Sequence, residues 1–242
     1  MTTQTLERTT HATARDVVRL HFAQRVMLLA TPPAIMGIAF VVTAIVCVIL
    51  WRMGSVPGSA EWAANSRNNP AVVWSLPGFF GWIGVQTVSL TFPLALSLGS
   101  TRRTFVTGTI LTHIAISLYV AVMMLVLLGL ELATDHWFVG VYVTDVYLLG
   151  DGDPFRLALT TFLGTLLVLS VGGAMAASWV RVGARGPLAL AAGAIIVLGL
   201  VVIALVPLLP HFRLWWLVVA AVVMIAIALV GQYTFLRRAT VR

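Results

Sequence analysis

The chain of 242 residues contains no lysine; all fifteen of its basic residues are arginine. That absence excludes a P-loop lysine for ATP phosphates, a lysine Schiff base and a Ser-Lys dyad. It has one cysteine, Cys47, so neither an intrachain disulfide nor a cysteine metal cluster is available. Charged residues make up only 10% of the chain, where a soluble domain carries about 25%. No His-Glu-x-x-His helix, Gly-x-Ser-x-Gly elbow or pair of intramembrane aspartates is present, and nothing suggests an enzyme. The net charge of +7 does not call for nucleic acid, because the arginines sit beside apolar segments where membrane topology accounts for them.

Long hydrophobic blocks are abundant instead. Hydrophobic residues form 60% of the chain, and mean hydropathy is +1.01. Six blocks are long enough to cross the ~30 Å hydrocarbon layer as helices. They run over Met27–Trp51, Val72–Leu98, Phe105–Leu130, Leu157–Val180, Pro187–Leu208 and Leu214–Leu236. The expected fold class is all-α, a polytopic membrane protein, with Pro77 and Pro93 as kink points in the second span. The expected organisation is a leader over 1–26, a membrane domain over 27–236 with outer segments 52–71 and 131–156, and a tail over 237–242.

Arginine placement orients the spans. With both termini cytoplasmic, eleven arginines fall inside: Arg8, Arg15, Arg19, Arg25, Arg102, Arg103, Arg181, Arg185, Arg237, Arg238 and Arg242. Four fall outside: Arg52, Arg67, Arg156 and Arg213. The positive-inside rule favours this arrangement. Trp51, Trp74, Trp137, Trp215 and Trp216 then fit a belt at the outer interface. The leader does not match a signal peptide, since its arginines continue to Arg25 and the apolar run that follows is too long. "ATARDVVRLHFAQR" reads as an amphipathic interfacial elbow helix with Val17, Val18, Phe22 and Val26 near one side, bending into the membrane at Pro32-Pro33. An ordinary solvated leader is the alternative.

The polar residues inside the spans form a mild pattern. Gln86, Ser89 and Ser97 lie on one face of the second span, and Thr109, His113 and Ser117 form an i, i+4, i+8 stripe on the third. Such stripes face protein or a water-filled path. Gln86, Ser89, Ser97, His113 and Ser117 are therefore candidates for a translocation path, with interhelical packing as the competing reading. His113 has no carboxylate partner in view, because Glu131 lies near the outer edge. Small residues in the fourth span (Gly172, Gly173, Ala174, Ala176, Ala177) and around Ala191–Ala194 in the fifth suit close packing. Near the start of the fourth span, Asp151-Gly152 reads as a turn and Asp153 as a helix cap ahead of Pro154; the acids lack EF-hand spacing.

One stretch combines several signals. In "LSLGSTRRTFVTGT", Gly99 can stop a helix in the left-handed region and Ser100 or Thr101 can cap the next. Arg102 and Arg103 then sit at headgroup level, followed by Thr104 and by Phe105 as an apolar knob at the water boundary. With the elbow segment and six spans with cytoplasmic ends, these residues resemble the permease subunit of bacterial type-2, export-type ABC transporters. In that family the segment between the second and third helices couples to an ATPase. The resemblance implies ATPase coupling through Gly99, Ser100, Thr101, Arg102, Arg103, Thr104 and Phe105. It implies a pair of cytoplasmic ATPase subunits holding ATP and Mg, a second permease chain, identical or homologous, and residence in a bacterial plasma membrane. No cofactor is expected in this chain itself. One departure is visible: the family often carries re-entrant outer helices between the fifth and sixth spans, whereas that connection here is only "PLLPHFR". The expected function is export of a hydrophobic or amphipathic substrate. The alternatives are a non-transporting membrane anchor or sensor and an ion-coupled secondary transporter.

Overall fold

The computed structural model describes residues 12–207, 213 and 215–239. Arg8, Arg242 and nearly all of the "PLLPHFR" connection lie outside the described residues. The fold is all-helical, with no strand among the described residues; a lone backbone bridge links Ala12 and Ser100. Six helical segments are long and apolar enough to cross a membrane, so the chain is a multi-pass membrane protein.

The leader helix α1 (Ala14–His21) starts where the Thr13 backbone N–H and hydroxyl both donate to the Asp16 carboxylate (2.9 and 2.7 Å). A 3₁₀ turn over Phe22–Gln24 separates it from α2 (Arg25–Arg52). The break therefore does not fall at Pro32-Pro33, which lie within the continuous α2. The carbonyl that Pro33 leaves without an amide partner, that of Leu29, accepts the Tyr119 hydroxyl instead (2.6 Å). α1 itself is clamped to the third span: a side-chain carbon on Gly108 would stand 2.6 Å from Val17 Cβ.

The second span is broken twice, into α4 (Ala71–Ser75), α5 (Pro77–Ser89) and α6 (Thr91–Ser97), after a short helix α3 (Ala60–Ser66). The breaks fall at Leu76, just before Pro77, and at Leu90, one residue after the Ser89 carbonyl that Pro93 cannot bond. The third span, α7 (Arg102–Ala133), is unbroken. The fourth, α8 (Pro154–Val182), is the central post of the bundle. It starts as the sequence suggests, with Asp153 Oδ1 accepting from Arg156 N (2.9 Å) and Pro154 in the first turn.

Glycines let α5 and α8 touch backbone to backbone. A Cβ on Gly84 would meet the Leu169 carbonyl oxygen at 2.4 Å, and one on Gly172 would meet that of Gly81 at 2.5 Å. Gly172, Gly173, Ala174, Ala176 and Ala177 are all buried, as close packing requires. The fifth span, α9 (Arg185–Leu205), behaves differently. Gly186 is its only buried residue, and Ala192, Gly193 and Ala194 are exposed. The Ala/Gly run of the fifth span thus packs against no other element among the described residues, because α9 meets α8 near the Gly183 turn and then stands clear. The last helix, α10 (Trp215–Arg237), returns to pack along α8 through Ile225, Ala228, Gln232 and Leu236.

Candidate functional site

The segment between the second and third spans is a four-residue turn, Leu98 to Thr101. Leu98 caps the end of α6, and Gly99 takes φ +81°. Gly99 N then donates to Leu96 O (3.0 Å) and Ser100 N to Ala95 O (2.9 Å), the pair of bonds that closes a Schellman helix end. Thr101, with extended backbone, caps α7 through Oγ1, which accepts from Thr104 N (3.1 Å). Thr101, rather than Ser100, is the cap; Ser100 is buried and bridged to Ala12. Arg102 Nη1 donates to the backbone carbonyl of Arg237 (2.7 Å). The turn is thereby tied at once to the residues just before α1 and to the last residue of α10. Arg103 is exposed and in no ion pair among the described residues.

Phe105 is not a knob at the water boundary. It is completely buried, with ring centroids 5.1 Å from Phe92 and 5.9 Å from His21. The reason is register: Phe105, Thr109, His113 and Ser117 follow one another at i, i+4, i+8 and i+12, and all four are fully buried. The face that a partner can reach at this turn is Gly99, Thr101 and Arg103.

The stripe on α7 meets different residues from those singled out in the second span. His113 Nε2 lies 3.1 Å from Thr87 Oγ1, which itself donates to Gly84 O (2.8 Å). With that hydroxyl proton spent, the ring N–H donates to Thr87, and His113 Nδ1 is buried without a partner. One turn along, His21 lies between Thr109 (3.1 Å) and Thr91 (3.5 Å). Gln86 and Ser89 are only half-buried and Ser97 is exposed. Ser89, Ser97 and Ser117 each turn their hydroxyl back onto their own helix, at Val85 O (3.0 Å), Leu94 O (2.7 Å) and His113 O (2.8 Å). His113 is thus joined to Thr87 in a buried polar core, with Ser117 buried one turn further along α7, whereas Gln86, Ser89 and Ser97 stay outside it. His21, Thr87 and Thr91 were missed in the sequence. The i, i+4 spacing of the two threonines was the available signal, and His21 was hidden in an arginine-rich leader. A second polar surprise is Gln232 on α10, fully buried against Gly173 with neither amide atom hydrogen-bonded among the described residues.

At the opposite end of the bundle the two intervening segments lock together. Glu131, the one acidic residue of α7, is fully buried. Its carboxylate accepts from Val143 N (2.9 Å), Thr144 N (2.7 Å), Thr144 Oγ1 (2.6 Å) and Asp145 N (3.3 Å). Asp145, equally buried, accepts from Arg67 Nη2 (2.8 Å) and lies 3.0 Å from His136 Nε2. His136 stacks on Tyr142 with centroids 4.0 Å apart, and Trp62 Nε1 donates to Gly140 O (2.7 Å). These contacts hold an uncommon backbone: Asp135, His136, Trp137 and Phe138 all have φ between +47° and +63°. Each residue in that region costs of order 1–2 kcal/mol, so four in succession persist only where surrounding contacts over-determine them. Trp137 packs on Phe40 (4.9 Å) and is not in an exposed belt, unlike Trp51, Trp74 and Trp215.

Among the described residues no group of three or more His, Cys, Asp or Glu side chains is placed to hold a metal ion. No protein-family model matches this chain, and comparison with curated proteins and with solved structures gives no match either.

Proposed function

We propose that the chain is the permease subunit of a bacterial export-type ABC transporter, moving a hydrophobic or amphipathic substrate on ATP hydrolysed by a separate pair of ATPase subunits. A second permease chain completes the assembly, both termini are cytoplasmic, and α1 lies at the inner membrane surface. The observation that carries the reading is the turn at Gly99–Arg103. It presents an exposed arginine on a helix start held by a Schellman closure, a threonine cap and the Arg102–Arg237 bond. Such a junction can be pushed without unravelling. α7 runs from it without a break for 32 residues, about 48 Å at 1.5 Å per residue. Displacement at the turn therefore reaches the Glu131-bound segment at the other end through one rigid rod.

The test is the double variant Arg102→Glu, Arg103→Glu in the reconstituted assembly. ATP hydrolysis should continue while transport falls away; transport coupled as in the unaltered protein would sink the assignment. Because Arg102 also holds Arg237, Arg103→Glu alone separates lost contact with the partner from a loosened junction. A non-transporting anchor is the second reading, favoured by one feature: the polar core around His113 is closed and lines no path.

A further inference from the structure

Between the far half of α2 and the segment that follows it lies a cavity of about 760 Å³, within the range that small-molecule pockets occupy. Its two walls differ in chemistry. Val42, Val46 and Leu50 line one side, and their i, i+4, i+8 spacing puts them on one face of α2. They span about 12 Å of the helix axis at 1.5 Å per residue, inside a segment apolar enough to cross a membrane. The other wall carries Glu61 and Asn65 of α3. Among the described residues no other charged side chain lines the cavity.

The walls are fixed before anything enters. Asn69 Nδ2 donates across to Thr43 Oγ1 (3.0 Å), while its Oδ1 accepts from Ala71 N (3.0 Å). α3 is capped by Ser59 and pinned through the Trp62–Gly140 bond. By contrast, the Glu61 carboxylate and the Asn65 amide make no hydrogen bond or ion pair among the described residues. An apolar trough inside the membrane span thus leads to one uncommitted carboxylate and one uncommitted amide where that span ends.

We infer that this cavity binds a single-chain amphiphile with a cationic head. Its alkyl tail lies along Val42, Val46 and Leu50, and its ammonium group meets Glu61 and Asn65. An anionic head is disfavoured, because Glu61, the one charged residue lining the site among those described, has the same sign. The inference does not depend on the transport reading: the site is a binding site whether or not its occupant is moved.

The experiment uses the full chain in nanodiscs of phosphatidylglycerol, whose lipids carry no cationic head. The probe is an alkyltrimethylammonium with a diazirine in its tail, and labelled peptides are mapped by mass spectrometry. Saturable labelling of 42–50 is expected, reduced at least tenfold by excess dodecyltrimethylammonium and not by dodecyl sulfate. Val46→Trp should remove it, and Glu61→Gln should weaken probe binding at least tenfold, both with unchanged thermal unfolding. Unsaturable label spread evenly over α9 and α10, or equal competition by dodecyl sulfate, would overturn the proposal. Repeating the labelling in phosphatidylethanolamine tests the single-chain assignment. Retained label is expected; loss of label would show that a two-chain bilayer lipid fills the cavity and would overturn the proposal.

Discussion

The Tyr119 hydroxyl on α7 donates to the Leu29 carbonyl on α2 at 2.6 Å, and Leu29 stands four residues before Pro33, which has no N–H to offer it. In lipid an unpaired carbonyl has no water to turn to, so a proline on one helix is compensated by a phenol on another. Tyr119→Phe should destabilise the protein by about 1–3 kcal/mol, the cost of a polar group left unsatisfied. In a Pro33→Ala background the helix supplies its own N–H, and the same change should cost markedly less. Thermal unfolding of the four proteins in one detergent checks this; an equal cost in both backgrounds contradicts it.

Glu131→Gln should release the strained turn at Asp135–Phe138. The carboxylate accepts four hydrogen bonds from 143–145, and an amide would point its NH₂ at donors. Charge-assisted bonds are worth about 1.5–3 kcal/mol each against their loss. Limited proteolysis should therefore cut the 135–153 stretch several-fold faster in the variant, while the membrane spans stay protected. Unaltered cleavage would show that the carboxylate is not what holds this segment.

Glycine substitutions should separate packed helices from the free one. Gly84→Val and Gly172→Val each drive a side chain into a carbonyl oxygen 2.4–2.5 Å away, and overpacking of this kind costs typically 1–3 kcal/mol or more. Gly193→Val meets nothing within 4 Å and should leave the unfolding temperature of the isolated chain unchanged. A loss at Gly193 as large as that at Gly84 would mean that α9 is packed against the bundle.

Gln232→Met should stabilise. The amide is fully buried and makes no hydrogen bond, so a thioether of similar size removes a desolvation cost of about 1–3 kcal/mol. A clear gain in unfolding temperature is expected. A loss would mean that the amide has a polar partner in the assembled protein.

Much of this architecture is written in local patterns. Span positions follow from hydrophobic runs, the breaks before Pro77 and near Pro93 follow from the missing amide, and Asp153-Pro154 marks the helix that starts there. The stop at Gly99 is legible for the same reason: one residue type suits one backbone region. What escaped needs contacts between distant residues. Glu131 reads as an edge carboxylate because its donors lie 12–14 residues on. The left-handed turn over Asp135–Phe138 contains no glycine, so nothing local marks it; tertiary bonds impose it. Phe105 beside two arginines reads as exposed until the stripe through Thr109 and His113 is followed back to it. The exposed run at Ala192–Ala194 shows the opposite failure: small residues permit close packing without requiring it.

Coupling to an ATPase is the central claim, and it is tested most directly by purifying the tagged chain from mildly solubilised native membranes and assaying the eluate. A stoichiometric P-loop ATPase should co-elute, hydrolyse ATP, and be lost or reduced at least tenfold with Arg103→Glu while the chain itself remains folded. Purification of the intact chain without such an ATPase, or with one whose recovery ignores Arg103, would contradict the claim.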